Sequence, residues 1–403
     1  MKVSPSRDPH SATPSKAARG GGDEAPAPGA SAAGEKTPIF RILDVDGTAD
    51  PKLDPRIPAE GLEIIYRTMV LNRLLDDRML TLQRQGRIGF YLTSTGEEAT
   101  HVASAYALEK TDWVFPAYRE PGAALIRGFD LHKFICQLFG NAEDTLKGRQ
   151  MPNHFSAREI AFVSISSPTG TQIPQAVGAA WAAKIRGDDM VAITYFGEGT
   201  TSQGDFHTAL NFAGVEKVPV IFFCRNNQYA ISVPSKIQTA AESIAVKAVA
   251  YGIEGIQVDG NDVLAVYEAT RRARERARKG LGPTLIEGLT YRRGAHSSSD
   301  DPRRYREDSE VEEWTKKDPI DRLRRYMEKK GLIDAKKDEA LRAVITEEIH
   351  AALERAEKVA PPPIESMFDD VFARIPWHLE REKREYLAWR AEHGAPTDGH
   401  GAH

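Results

Sequence analysis

The chain is predicted to be an α/β protein with a doubly wound, mainly parallel sheet, a helical C-terminal extension and a disordered N-terminal arm. Three observations carry that expectation. Two short apolar runs, Val191 to Phe196 and Val218 to Cys224, are β-branched or aromatic and bounded by turn signals, as buried strands are. Between them, Phe206, Ala209, Leu210 and Ala213 recur at the i, i+3, i+4, i+7 spacing of a helix buried on one face. Strand, helix and strand at this length form a crossover unit, which makes the two strands parallel. Strand and helix patterns alternate in the same way from about residue 110 to 290.

The elements follow in order. Residues 1–37 are rich in Ala, Pro, Ser and Gly, lack aromatics and cannot build a core, so they read as an arm. Residues 38–110 read as a helical segment packing on the core. Pro58 to Gln85 repeats Leu62, Ile65, Met69, Leu75, Met79 and Leu82 at helical spacing, with Gly86 as its stop. Glu97 to Glu109 reads as a small-residue helix. The α/β unit is expected over 111–310. It holds strands at Trp113–Phe115, Ile256–Val258 and Thr284–Leu289, a helix Ile173–Lys184 opened by Pro174, a helix from Ser202 as N-cap to Glu216, and a helix Val263–Lys279. The basic run Arg271 to Lys279 reads as a solvated face. Residues 311–403 read as an extension, helical from Pro319 to Lys358 and from His378 to Glu392. The histidines His400 and His403 at the chain end read as idle.

Composition excludes several classes of function. A formal net charge of −4 gives no electrostatic case for nucleic acid, and no apolar run approaches a membrane span. The two cysteines, Cys136 and Cys224, form no metal or redox pattern and suit a reducing compartment. The arm has no hydrophobic segment of a secretory signal. Its Asp8, Asp23 and Glu24 argue against a mitochondrial transit peptide, so a cytoplasmic location is expected.

The chemistry concentrates after the two strands. Gly197-Glu198-Gly199 follows the first, and Asn226-Asn227 follows the second. Parallel strands bring both clusters to the same carboxyl edge, where open α/β sheets bind ligands. A carboxylate and an amide oxygen beside glycines suit Mg²⁺ held against a diphosphate. Magnesium takes oxygen ligands and usually only one or two protein carboxylates, and the glycines let backbone approach the phosphates. A nicotinamide-binding reading fails, because no third glycine stands at the required offset.

These residues resemble the α subunits of the thiamine diphosphate-dependent 2-oxoacid dehydrogenases, over roughly residues 60–375. The similar segments are GRIGFYLTSTGEEATH (86–101), GRQMPNHF (148–155), SISSPTGTQIPQAVGAA (164–180), FGEGTTSQGDFH (196–207), FFCRNNQYAIS (222–232) and YRRGAHSSSDDPRRYR (291–306), and they look most like branched-chain members. The resemblance implies thiamine diphosphate, with Mg²⁺ held by Glu198, Asn227 and the carbonyl of Tyr229. It implies that Tyr118, Arg119 and Arg225 meet the diphosphate, and that Ser167, Thr169, Gly197, Gly199 and Thr200 line the cofactor. His296 matches the catalytic histidine of a covering loop. Ser166, Thr171 and Gln172 match a K⁺ site of some relatives, Phe90 and Tyr91 border the substrate side chain, and Ser297 matches a position phosphorylated in some relatives. Two departures stand out: Thr169 replaces a common apolar residue, and Pro302 lies within the loop.

The implied activity is oxidative decarboxylation of a branched-chain 2-oxoacid, with acyl transfer to the lipoyl group of a transacylase core. Thiamine enzymes need a second α/β domain, and only charged helices follow residue 310, so a β subunit is expected in an assembly of two α and two β chains. The alternatives are a pyruvate or acetoin dehydrogenase α subunit, or a catalytically silent scaffold.

Overall fold

Alternation along the strands divides the protein into two cores. In the run 192–197, Ala192 and Phe196 point to one face and Ile193 and Tyr195 to the other. In the run 220–226, Val220, Phe222 and Cys224 join the first group while Ile221 and Phe223 join the second. Successive side chains of a strand face opposite ways, so strands apolar at every position must be covered on both sides. The computed structural model shows this arrangement for residues 37–369 and 371–394; the expected arm up to residue 36 and the histidines His400 and His403 lie outside them.

The strands are β1 (Ile39–Phe40), β2 (Trp113–Phe115), β3 (Ala192–Gly197), β4 (Val220–Asn226), β5 (Tyr229–Ala230), β6 (Val233–Pro234), β7 (Glu254–Asp259) and β8 (Thr284–Leu289). Six of them form one sheet in the order β1-β7-β8-β4-β3-β2, every pair parallel, and β5 and β6 form a small antiparallel hairpin beside it. Gly197 lies level with Arg225, and Asn226 level with Leu289, so β3, β4 and β8 end on one line.

Up to β8 the helices are α1 (Ala59–Arg84), α2 (Glu98–Tyr106), α3 (Pro121–Ile126), α4 (Leu131–Phe139), α5 (Gln172–Arg186), α6 (Gly204–Glu216), α7 (Ser235–Gln238) and α8 (Val263–Arg278). Helices α5 and α6 cover one face of the sheet, with Ile173, Val177, Phe206 and Leu210 in its core. Helices α1, α2 and α8 cover the other, through residues such as Ile65, Met69, Val102 and Val266. Beyond the sheet run α9 (Asp308–Thr315), α10 (Pro319–Lys329), α11 (Ala335–Glu357), α12 (Ser366–Asp369) and α13 (Trp377–His393). Among the described residues no strand follows β8, and no helix is long and apolar enough to cross a membrane.

Four expectations about elements are corrected. Ser202 is not the cap of α6. The chain first winds a tight 3₁₀ turn over Glu198–Ser202, and Gln203 is the extended residue ahead of the helix. Helix α5 starts at Gln172, so Pro174 is its third residue, where the missing N–H still costs no helical bond. The run Pro319–Lys358 is two helices, parted by a turn in which Gly331 takes φ +70°. The basic face of α8 is not wholly solvated: Arg274 is buried and its Nε donates to Asp112. Asp112 also accepts the backbone N–H groups of Glu109 and Val191, at 2.8 and 3.0 Å, and so ties α8 to the start of β3. The two-residue β1 and the six-residue α3 carry too little periodic signal to be read, whereas α4 was legible and missed: Leu131, Phe134, Ile135 and Leu138 stand at helical spacing between the cap Asp130 and Gly140.

The Asp112–Arg274 pair gives a test of the scaffold. Replacing Asp112 by Ala leaves a buried guanidinium without its partner, a change that costs about 3–5 kcal/mol. Urea unfolding of the variant should show a loss of that order, whereas a loss below about 1 kcal/mol would mean that Arg274 finds water.

Candidate active site

The carboxyl ends of β2, β3, β4 and β8 open into one cleft. Because β3 and β4 are parallel neighbours in register, Glu198 and Asn227 leave the sheet side by side. The backbone N–H of Asn227 donates to Glu198 Oε2 at 3.2 Å. The turn carrying Glu198 is held from outside by Gln238, whose amide donates to the carbonyls of Glu198 and Gly199 at 3.1 and 3.2 Å. Gly199 is required by close approach, since a Cβ there would lie 2.7 Å from the Cβ of Ala230 on the hairpin. At Gly197 a Cβ would meet no atom within 4 Å, which leaves open space along this wall of the cleft. The turn after Asn227 is strained: Gln228 and Ile231 take φ of +76° and +56°, left-handed values that a β-branched residue rarely adopts.

Beneath the cleft lies a cluster of buried charge. Glu97, Arg119, Glu120, Glu198, Arg225 and Arg292 are all buried. Arg225 Nη1 donates to Glu97 Oε2 at 2.6 Å, and its Nη2 forms an ion pair with Glu120 at 2.5 Å. Asn227 Nδ2 donates to both oxygens of Glu97 at 3.1 Å, which turns Oδ1 away from Glu97. Glu198 Oε1 is buried with no partner. Burial lifts the Glu198 carboxyl to about 7, since little nearby repays its desolvation.

His296 lies across the cleft on the loop after β8. Arg119 Nη2 donates to its carbonyl at 2.7 Å and faces Nδ1 at 3.4 Å. A guanidinium can only donate, so Nδ1 is the acceptor and the ring proton sits on Nε2. Burial, Arg119 and Arg292 together push this histidine down to about 3, so it is neutral at physiological pH. Its loop is fastened by Asp300, which accepts from His296 N and from the Tyr305 hydroxyl, both at 2.6 Å.

Thirteen of the seventeen residues singled out in the sequence line this cleft: Tyr118, Arg119, Ser166, Thr169, Gln172, Gly197, Glu198, Gly199, Thr200, Arg225, Asn227, Tyr229 and His296. Four do not. Ser167 is exposed and its hydroxyl lies 2.7 Å from His154 Nε2. Thr171 turns its hydroxyl onto the carbonyl of Pro168, at 3.1 Å. Phe90 is half-buried outside the lining. Tyr91 is fully buried, and its hydroxyl donates to Asp76 at 2.9 Å, which makes it a core residue in this structure. Two assigned groups are already engaged. The two terminal nitrogens of Arg225 hold carboxylates, and the Tyr229 carbonyl accepts from Arg292 Nη1 at 3.0 Å. Sequence reasoning missed Glu97, Glu120, Gln203 and Arg292. The pair Glu97-Glu98 ahead of a small-residue helix was a visible signal, but only folding brings it under Asn227.

Residues 66–365 match the family model described as dehydrogenase E1 component. The chain is 48% identical over 353 residues to the human protein named 2-oxoisovalerate dehydrogenase subunit alpha, mitochondrial, covering 87% of this chain and 79% of that one. It is 47% identical over 348 residues to the mouse protein of the same name, covering 86% and 79%. The Arabidopsis thaliana protein named subunit alpha 2 is 45% identical over 366 residues, covering 90% and 77%. The expected cytoplasmic location is corrected here, because these relatives are named mitochondrial. The acidic residues Asp23 and Glu24 had weighed against a transit segment. Ahead of them, however, Lys2, Arg7, Lys16 and Arg19 stand against Asp8 alone, in a Ser- and Ala-rich stretch.

Two measurements test the electrostatics. His296 is neutral in the fold down to about 3, whereas the unfolded chain takes up that proton near the ordinary histidine value of 6.5. Its contribution therefore makes stability fall as pH drops from 6.5 towards 3. In His296→Gln, unfolding free energy should decline less steeply across that window; an unchanged slope refutes the assignment. Replacing Glu97 by Ala strips Arg225 of one carboxylate and frees the Asn227 amide. A stability loss of roughly 3–5 kcal/mol is expected in denaturant unfolding.

Proposed function

The chain belongs to the dehydrogenase E1 component family, and from that premise we propose that it is the α subunit of a branched-chain 2-oxoacid dehydrogenase, EC 1.2.4.4. It serves the thiamine diphosphate-dependent oxidative decarboxylation of acids such as 3-methyl-2-oxobutanoate, with reductive acylation of the lipoyl group of a transacylase. The observation that carries this reading is the meeting of Glu198 and Asn227 at one sheet edge, in a chain similar to such subunits over most of its length.

The residues present fit the cofactor and its metal. Glu198 offers a buried oxygen without a partner, and Asn227 is held by Glu97 through its nitrogen, while its amide oxygen accepts the Tyr229 N–H at 3.3 Å and keeps a second lone pair. An all-oxygen donor set suits Mg²⁺. In this reading Glu198, Asn227 and the Tyr229 carbonyl would hold the ion, the carbonyl through the lone pair that its bond from Arg292 Nη1 leaves over. Tyr118 and Arg119 take the diphosphate. Arg225, already shared between Glu97 and Glu120, contributes its field more than a free fork. The same reading assigns a structural K⁺ to Ser166, Thr171 and Gln172, in the turn that opens α5. Thiamine diphosphate supplies, when bound, the electron sink that decarboxylation requires. His296 carries its proton at Nε2, and burial with Arg119 keeps the ring neutral and oriented, so that its Nε2–H would donate a hydrogen bond to negative charge developing during decarboxylation and acyl transfer.

A β-type partner completes the proposal, in an assembly of two α and two β chains that docks a lipoyl-bearing transacylase. The support is twofold. No strand follows β8 among the described residues, so no second sheet is available in them to grip the rest of the cofactor. Helices α5 and α6 also leave Trp181, Ile185, Phe212 and Val215 exposed, a run of apolar surface that suits burial in an interface.

The test is reconstitution with a β-type chain. The assembly should turn over 3-methyl-2-oxobutanoate faster than pyruvate, and the reverse order would remove the branched-chain assignment. Glu198→Gln should weaken the apparent Mg²⁺ affinity by at least about 10–100-fold, read by calorimetry with cofactor present.

A further inference from the structure

Far from the cleft, α4 and the turn after it gather three ligand-type side chains. His132 and Cys136 stand one turn apart on α4, and Gly140, at φ +62°, reverses the chain so that Glu143 folds back over them. His132 Nε2 lies 3.5 Å from Cys136 Sγ and 2.7 Å from Glu143 Oε2, and one ligand atom from each residue lies within 4.8 Å of the others. We propose that His132 Nε2, Cys136 Sγ and a Glu143 oxygen form a binding site for a zinc-class divalent cation, with water as the fourth ligand.

The distances support this assignment. A tetrahedral ion with Zn–N of about 2.0–2.1 Å and Zn–S of about 2.3 Å sets its nitrogen and sulfur about 3.5 Å apart. The observed histidine–cysteine separation already has that value, but Sγ also lies 3.9 Å from Nδ1 and so stands over the ring face; the Cys136 side chain must rotate for both atoms to meet one ion. The histidine–carboxylate separation must open by roughly 0.6 Å to reach the edge set by Zn–N and Zn–O bonds. Glu143 can do this, because its side chain is 57% exposed while that of His132 is 15% exposed.

The surroundings hold the ligands in place. The other ring nitrogen of His132 lies 3.3 Å from the carbonyl of Ala352 on α11. An Nδ1–H donated there leaves the Nε2 lone pair for a metal, the usual outer support of a metal-bound histidine. Asn141 donates to the Ala356 carbonyl at 2.9 Å and accepts the backbone N–H of Glu143 at 3.1 Å, so α11 also fixes the turn that carries the carboxylate. On binding, the Cys136 thiol proton leaves to solvent and the sulfur becomes a thiolate ligand. The ion would then lock α4 and its turn against α11. The competing account is an imidazolium–carboxylate pair beside an inert thiol.

Cobalt(II) separates the two. The reduced full-length chain, stripped with chelator, is titrated with Co²⁺ and followed by absorption. One equivalent should bind with a thiolate-to-cobalt charge-transfer band, and Zn²⁺ should displace it and raise the thermal unfolding midpoint. Cys136→Ser should abolish the band and the midpoint shift. His132→Gln should weaken binding by about 10-fold or more, and it decides the matter should Cys136→Ser fail to fold. Absence of the band, binding without it, or a band that survives Cys136→Ser overturns the site.

Discussion

Everything at the cleft depends on one buried guanidinium. Arg225, the penultimate residue of β4, is buried between Glu97 and Glu120. Two carboxylates around one arginine would be a poor bargain in a dry interior unless each were satisfied elsewhere. Glu97 meets that condition by accepting both contacts from Asn227, so the pair that steadies the arginine also orients the amide above it. The polar floor and the ligand-facing groups are therefore one network. Moving any member changes the others.

That network can exist because the sheet around it is dry on both faces. Phe222 and Cys224 point into one core while Ile221 and Phe223 point into the other. Such a strand tolerates no slip by a single residue, since each side chain would cross to the opposite core. The register of β3 against β4 is thus fixed by packing, and the placement of Glu198 beside Asn227 follows from it. The strain after Asn227, borne by Gln228 and Ile231, is held by the same rigidity. The hairpin it forms presses Ala230 against Gly199, which explains why a side chain cannot stand there.

The loop of His296 works by a different physical means. It is fastened by hydrogen bonds among Asp300, Tyr305 and Arg292 more than by apolar packing, so it lies at the less stable end of the structure. Arg119 bridges the two regimes. It is buried in the floor, yet it reaches the carbonyl and Nδ1 of His296. A histidine kept neutral by burial and by neighbouring cations takes its orientation from that contact.

The sequence determined the parallel sheet, its main helices and the convergence of two polar clusters, because strand period and helix period are local and strong. Trp113–Phe115 and Thr284–Leu289 could be bounded to the residue, and most of the cleft lining was legible from motif positions. Only the tertiary structure decided which of those groups are free. Tyr91 looked like a pocket aromatic and is spent on Asp76; Arg225 looked like a phosphate fork and is spent on two carboxylates. The basic run of α8 hid a buried pair with Asp112, and Glu97 lies 130 residues from the amide it holds. Periodicity reports which way a side chain faces along its own element. Whether a charge is paired depends on partners that only folding brings near.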